Sequence, residues 1–109
     1  MTIPPQLPEG VRRALEATNA GDGEAFVAAF TDDGVVDDWG RTFRGREQIA
    51  RWDAGENTGV HAHFEVQGWH AEGDTATLTL AVTGGGFTGT STFTFETAGD
   101  RVRSMRITG

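Results

Sequence analysis

Residues 75–83 and 87–97 alternate apolar and hydroxyl-bearing side chains almost without a break. In the first run Leu78, Leu80 and Val82 share one side, and Thr77, Thr79 and Ala81 the other. In the second run Phe87, Gly89, Ser91, Phe93 and Phe95 oppose Thr88, Thr90, Thr92, Thr94 and Glu96. A period of two marks a strand with two unlike faces. Two such strands, separated by the break Gly84-Gly85-Gly86, predict antiparallel neighbours. One face is apolar and must be covered; the other is threonine-rich and suits water or a wet dimer contact. Glu72-Gly73-Asp74 and Ala98-Gly99-Asp100 are turn signals at the outer ends. They extend the pair into a meander, with a strand from 60 to about 71 before it and one over 101–108 after it.

The first half of the chain supplies the cover. Pro4, Pro5 and Pro8 mark an extended lead-in. Val11, Ala14, Leu15 and Thr18 recur at helical spacing and predict a helix from 9 to about 19. Asp22 is placed to cap a second helix, with Ala25, Phe26, Ala29 and Phe30 on one stripe. Thr31-Asp32-Asp33-Gly34 ends it. Residues 35–39 read as a short strand broken by Gly40, and 41–45 as a turn or hairpin return. A third helix is expected from 46 to about 54, with Ile49, Ala50, Trp52 and Asp53 on its inner side, followed by a loop over 55–59. The fold class is therefore α+β: three N-terminal helices packed on a strongly curved antiparallel sheet, a cone with a blind pocket. At 109 residues the chain is read as one domain, 1–109, long enough for one real core.

Composition narrows the chemistry. Asp and Glu number 16 against nine basic residues, all arginine, for a net charge of −7. Without a basic run the chain is a poor partner for nucleic acid or an anionic membrane. With no Cys, Tyr or Lys, a thiol nucleophile, a tyrosine acid and a Schiff-base lysine are excluded. The start, MTIPPQLPEG, lacks the pattern of a signal peptide, and no apolar run approaches the roughly 20 residues of a membrane span. A cytoplasmic protein is expected. The lack of Lys beside many Ala, Gly, Arg, Asp and Thr suggests a GC-rich bacterial genome. Gly84-Gly85-Gly86 is no phosphate loop, having neither a following Lys nor a helix.

At Ala20-Gly21-Asp22, Phe30-Thr31-Asp32-Asp33, Val36-Asp37-Asp38 and Gly45-Arg46-Glu47-Gln48-Ile49 the chain resembles the NTF2-like superfamily. The nearer likeness is to SnoaL-like and ketosteroid-isomerase-like bacterial members. Residues 99–106 are similar to the isomerase terminus, and the resemblance runs from about 10 to 109. It implies the cone fold, a homodimer through the sheet, a small apolar ligand and no cofactor. It does not fix the chemistry, because this fold carries several.

Asp38 is the sharpest candidate. It lies two residues from Val36, so the two share a side of their strand. In the resemblance it falls on the isomerases' general base, and desolvation in an apolar pocket makes a carboxylate a better base near neutral pH. The isomerases' oxyanion hole is a tyrosine plus a protonated aspartic acid. Here those positions fall on Ala14 and near Ser91, so Ser91 is the one aligned donor. His61 and His63 share a face with Glu65 and Gln67 if the strand is regular, and His70 takes the other. His63 is the candidate acid partner; metal binding is not expected. Phe30, Phe43, Trp52, Leu80 and Phe93 are candidate ligand contacts, with plain core as the alternative for each. Arg41, Arg44, Arg46 and Arg51 are expected in surface ion pairs. Two functions follow: an isomerase- or cyclase-type enzyme using Asp38 as base, or a non-catalytic dimeric binding or accessory module.

Overall fold

The computed structural model describes residues 3–84 and 87–109. Helix α1 (Glu9–Ala20) buries Val11, Ala14, Leu15 and Thr18, the predicted stripe, and ends at Gly21 in the left-handed conformation. Asp22 caps α2 (Gly23–Ala28), accepting the Ala25 N–H at 3.0 Å. The second helix is shorter than its stripe implied. Ala25 is exposed, and Phe30 opens strand β1 (Phe30–Asp38) instead. The segment 31–34 is thus an irregularity inside a strand, where the register against its neighbour shifts between Phe30 and Val35.

A two-residue turn, Trp39-Gly40, leads to β2 (Arg41–Arg44). Both turn residues have positive φ, 54° and 90°, which twists the chain as a tight hairpin needs. Asp37 accepts the Gly40 N–H at 2.8 Å and holds the turn. Helix α3 (Gly45–Glu56) starts where Gly45 takes φ 85° and Gln48 reaches back to the Arg44 N–H. It buries Ile49, Trp52 and Asp53, whereas Ala50 is exposed. The expected loop 55–59 is largely structured: α3 runs to Glu56 and a 3-10 turn follows at Thr58–Val60.

Strands β3 (His63–Glu72), β4 (Thr75–Thr83), β5 (Gly89–Ala98) and β6 (Arg101–Thr108) form the meander. The sheet order is β2-β1-β6-β5-β4-β3. Every ladder is antiparallel except β1 with β6, which run parallel. That single parallel pair arises because the chain crosses from one end of the sheet to the other through α3, so β6 meets β1 from the far side. Of the glycine break, Gly85 and Gly86 lie outside the described residues.

The core is the inner face of the sheet against the helices. Phe95, Leu78, Leu80, Met105 and Val102 are fully buried from the sheet side, and Leu15, Val11, Phe26 and Ile49 from the helices. The outer rows Thr77–Thr94 and Thr79–Thr92 face each other across β4 and β5. Asn19 ties the end of α1 to the edge strand β3. Its amide donates to the Phe64 carbonyl at 2.9 Å and accepts the Phe64 N–H at 2.7 Å, as a neighbouring strand would. Among the described residues no helix is long and apolar enough to cross a membrane.

Helix α1 crosses the start of β6 at Gly10, where an added Cβ would stand 2.7 Å from the Arg101 carbonyl carbon. Alanine raises helix propensity, but this neighbour is backbone and cannot swing aside. Gly10→Ala is therefore expected to destabilise the fold by about 1–3 kcal/mol, read as a lower midpoint in thermal denaturation. Asn19→Ala leaves two half-buried backbone groups of Phe64 without partners and is expected to cost about 1–3 kcal/mol in urea unfolding.

Candidate functional site

The helices do not cover the whole inner face. Near the β1–β2 turn they leave a cavity of about 220 Å³. The end of β1 and its turn contribute Asp38, Trp39 and Arg41; the end of α3 contributes Trp52, Glu56 and Asn57. The sheet supplies an apolar wall that includes Phe64, Val82, Phe93 and Ile107, with Ser91 set into it. Phe87, half exposed, closes the side where β5 begins.

Asp38 is placed by the register of β1. It pairs with Arg41 on β2 and with Ile107 on β6, and strand alternation turns it inward with Val36. Its residue is only 9% exposed. Two donors converge on one carboxylate oxygen: Trp52 Nε1 at 3.0 Å and the Arg41 guanidinium, both on Oδ2. Among the described residues Oδ1 accepts no hydrogen bond. Trp52 is thus tied by its ring N–H to Asp38, while the rings of Phe26 and Phe43 lie near it, with centroids 6.0 and 6.5 Å away.

Arg41 bridges the mouth. It also donates to both oxygens of Glu56, at 2.6 and 2.9 Å, and lies 5.7 Å from the Phe43 ring centre. The Glu56 bond, against the cost of desolvation and helped by Asp38, raises the guanidinium above its ordinary value. The same bond from Arg41 holds the Glu56 carboxyl below its ordinary range. The ion cluster therefore persists through neutral pH. What it adds to stability is lost only as pH falls through the lowered Glu56 value, and it is small because both groups are well exposed.

Four of the sequence candidates meet in this cavity: Asp38, Ser91, Trp52 and Phe93. Ser91 is 3% exposed and makes no side-chain hydrogen bond among the described residues. It stands two strands from Asp38 and two residues along from its level, about 12 Å by strand spacing and rise. The other four candidates lie elsewhere. Phe30 is fully buried core, packed on Phe26 at 5.2 Å. Leu80 is fully buried core on β4. Phe43 is half-buried behind Trp52 and Arg41 and does not line the cavity.

His63 is exposed on the outer face, opposite Thr83, so it does not reach the cavity. His61 is not in a strand at all, having φ 60° after the 3-10 turn. A bulge between Val66 and Gly68 changes the parity of β3. As a result His70, opposite Thr77, returns to the same outer face as His63. Among the described residues no group of three or more His, Asp or Glu converges on a metal position.

Sequence reasoning missed Arg41, Glu56, Asn57 and Trp39 as cavity residues. Trp39 carried a signal: a large residue directly before Gly40 in a tight turn is an unusual choice. It adopts φ 54°, is 61% exposed, and stands at the mouth. A bulky side chain held in that conformation is strained, and such strain gathers at functional sites. Asn57 gave no signal, because it follows a helix whose end the sequence placed earlier. Of the arginines expected in surface ion pairs, Arg46 pairs with Asp32 and Arg51 with Glu47. Asp53 is buried, and among the described residues its hydrogen-bond partners are Asn57 and Thr58 rather than an arginine.

No curated protein matches the chain significantly in sequence. Among solved structures, a candidate polyketide cyclase from Sinorhizobium meliloti superimposes with a TM-score of 0.83, at 27% identity over 93% of this chain and 94% of that one. A protein of ketosteroid isomerase-like fold from Catenulispora acidiphila, in complex with trimethylamine, gives 0.81 at 25% identity over 94% of this chain and 85% of that one. A Mycobacterium tuberculosis protein in complex with estradiol-17β-hemisuccinate gives 0.80 at 19% identity over 94% and 93%, a likeness of fold. The cone architecture and the match of residues 11–105 to the model of the SnoaL-like domain agree, and the chain belongs to the SnoaL-like family.

Proposed function

We propose that this protein binds a small, largely apolar ketone in the cavity and that Asp38 acts on it as a cofactor-independent general base. The observation that carries the reading is the Asp38 carboxylate beside an apolar wall, with one oxygen held by Trp52 and Arg41 and the other taking no donor among the described residues. Oδ1 removes a proton from the carbon beside the carbonyl. The electron pair moves onto the carbonyl oxygen, and the protonated carboxyl returns the proton to that carbon or to a conjugated one. The enolate oxygen needs a donor, and the Ser91 hydroxyl and the Arg41 guanidinium are the groups in the lining that supply one. Each is a weaker arrangement than a paired oxyanion hole, so a modest rate is expected.

Cavity size limits the ligand. About 220 Å³ lies above the roughly 150 Å³ that takes up benzene and below the roughly 300 Å³ where most drug-sized sites begin. This favours one or two rings over a four-ring body. The candidate polyketide cyclase among the neighbours is consistent with ketone chemistry on this scaffold. The second reading is a binding or accessory module without catalysis, favoured by the ion pair that already engages Asp38 with Arg41. Under either reading we propose a homodimer through the outer face of β4 and β5, where Thr77 and Thr79 are exposed beside the half-buried Thr94 and Thr92.

Deuterium exchange at the carbons beside the carbonyl of 2-tetralone, followed by NMR, separates the two. The wild type is expected to exceed buffer, Asp38→Asn to lose about 10²–10⁴-fold, and Ser91→Ala to lose about tenfold. Asparagine keeps an acceptor for Trp52, so Asp38→Asn should still fold. A wild-type rate equal to buffer, with 2-tetralone bound, would leave the binding module. Sedimentation velocity is expected to give twice the 11.7 kDa chain mass and Thr79→Arg to return it to the monomer; a wild-type monomer would sink the dimer.

A further inference from the structure

Asn57 stands just past α3, is 1% exposed, and lines the cavity. The direction of its amide is set by its neighbours. Nδ2 donates to Asp53 Oδ1 and to Thr18 Oγ1, both at 3.0 Å. Asp53 Oδ1 already receives the Thr58 N–H, so it acts there as an acceptor. Thr18 gives its own proton to the Ala14 carbonyl, so its oxygen too is left to accept. Both partners require the NH₂ end of the amide. The carbonyl end, Oδ1, is the group left over, and among the described residues it takes no hydrogen bond. Oδ1 is not sealed off but keeps surface in the largely apolar cavity, and native folds pair such groups with protein, water or ligand.

We propose that Asn57 Oδ1 is a recognition group that makes the cavity select ligands carrying a hydroxyl or N–H donor on a one- or two-ring apolar body. Asp53 is its positioning residue: buried, held by the Thr58 hydroxyl and backbone, it fixes which end of the amide faces the ligand. The assignment fits the rest of the lining. Asp38 Oδ1 is a second acceptor, Ser91 can act either way, and the aromatic walls take the apolar body. It rests on the reading of the cavity as a small-molecule site, and adds which polar group the molecule must bring.

The test compares indole with benzofuran. The two have the same shape, but benzofuran replaces the N–H donor with a ring oxygen. Dissociation constants come from NMR titration of the wild type, Asn57→Leu and Asp38→Asn. Indole is expected to bind the wild type and Asp38→Asn about tenfold or more tightly than benzofuran. Asn57→Leu should lose that preference while keeping its affinity for benzofuran. Equal binding of the pair by the wild type would overturn the assignment and leave the small-molecule reading standing. A preference that survives in Asn57→Leu and vanishes in Asp38→Asn would also overturn it, moving the recognition to Asp38. If neither compound binds, the small-molecule reading falls and the assignment with it. Should Asn57→Leu fail to fold, a nuclear Overhauser contact in the wild type between the indole N–H and the Asn57 amide protons decides the matter. Its presence supports the proposal, and its absence from bound indole overturns it.

Discussion

The interaction on which everything else depends is the covering of the inner face of β4, β5 and β6. Leu78, Leu80, Phe93, Phe95, Met105 and Ile107 make one apolar surface, all of it buried to within 7% exposure. At about 25 cal/mol per Å² of apolar surface removed from water, such a face cannot stay open. Three helices close it, but α1 and α3 are each 12 residues and α2 only six. They seal the middle of the sheet and stop short at the β1–β2 end. The cavity is what remains of the same apolar face where helix runs out. Core and cavity wall are therefore one surface, which is why Phe93 belongs to both.

At that uncovered end the polar groups are kept in order by two separate networks. One is ionic and lies at the mouth: Arg41 with Asp38 and Glu56. The other is buried and holds no cation among the described residues: Asp53 with Thr58, Asn57 and Thr18. The first leaves one oxygen of Asp38 without a donor, and the second leaves one oxygen of Asn57. The bonds to Asp53 and Thr18 fix which end of the Asn57 amide is left over, because turning the amide would break both. The cavity is thus hydrogen-bonded in its interior and ion-paired at its mouth.

The segments that carry the family resemblance are mostly builders of the fold. In Gly45-Arg46-Glu47-Gln48-Ile49, Gly45 allows the positive φ, Arg46 donates to the Phe30 carbonyl at 2.6 Å, Gln48 caps the helix, and Ile49 is fully buried. None of these lines the cavity. Asp38 is the exception, and it was legible because its strand register follows from Val36 two residues earlier. This is why the resemblance identified the family and the cone so readily while saying little about chemistry.

Local pattern determined a good deal by itself. The alternation in β4 and β5, the turns at Gly73 and Gly99, the stripe of α1 and the cap at Asp22 are short-range features, set by backbone geometry and side-chain period. The last strand, 101–108, was legible to the residue. What tertiary structure decided was everything that depends on a partner far along the chain. Phe30 could continue a helical stripe, but pairing of β1 with β6 made it the start of a strand. One extra residue in β3 reversed the parity that would have sent His70 away from His63 and left both outside. Arg41, Glu56 and Asn57 meet only because the β1–β2 turn and the end of α3 are brought to the same open end of the sheet. Period and propensity act over a few residues, whereas a cavity is made by what long-range packing fails to fill.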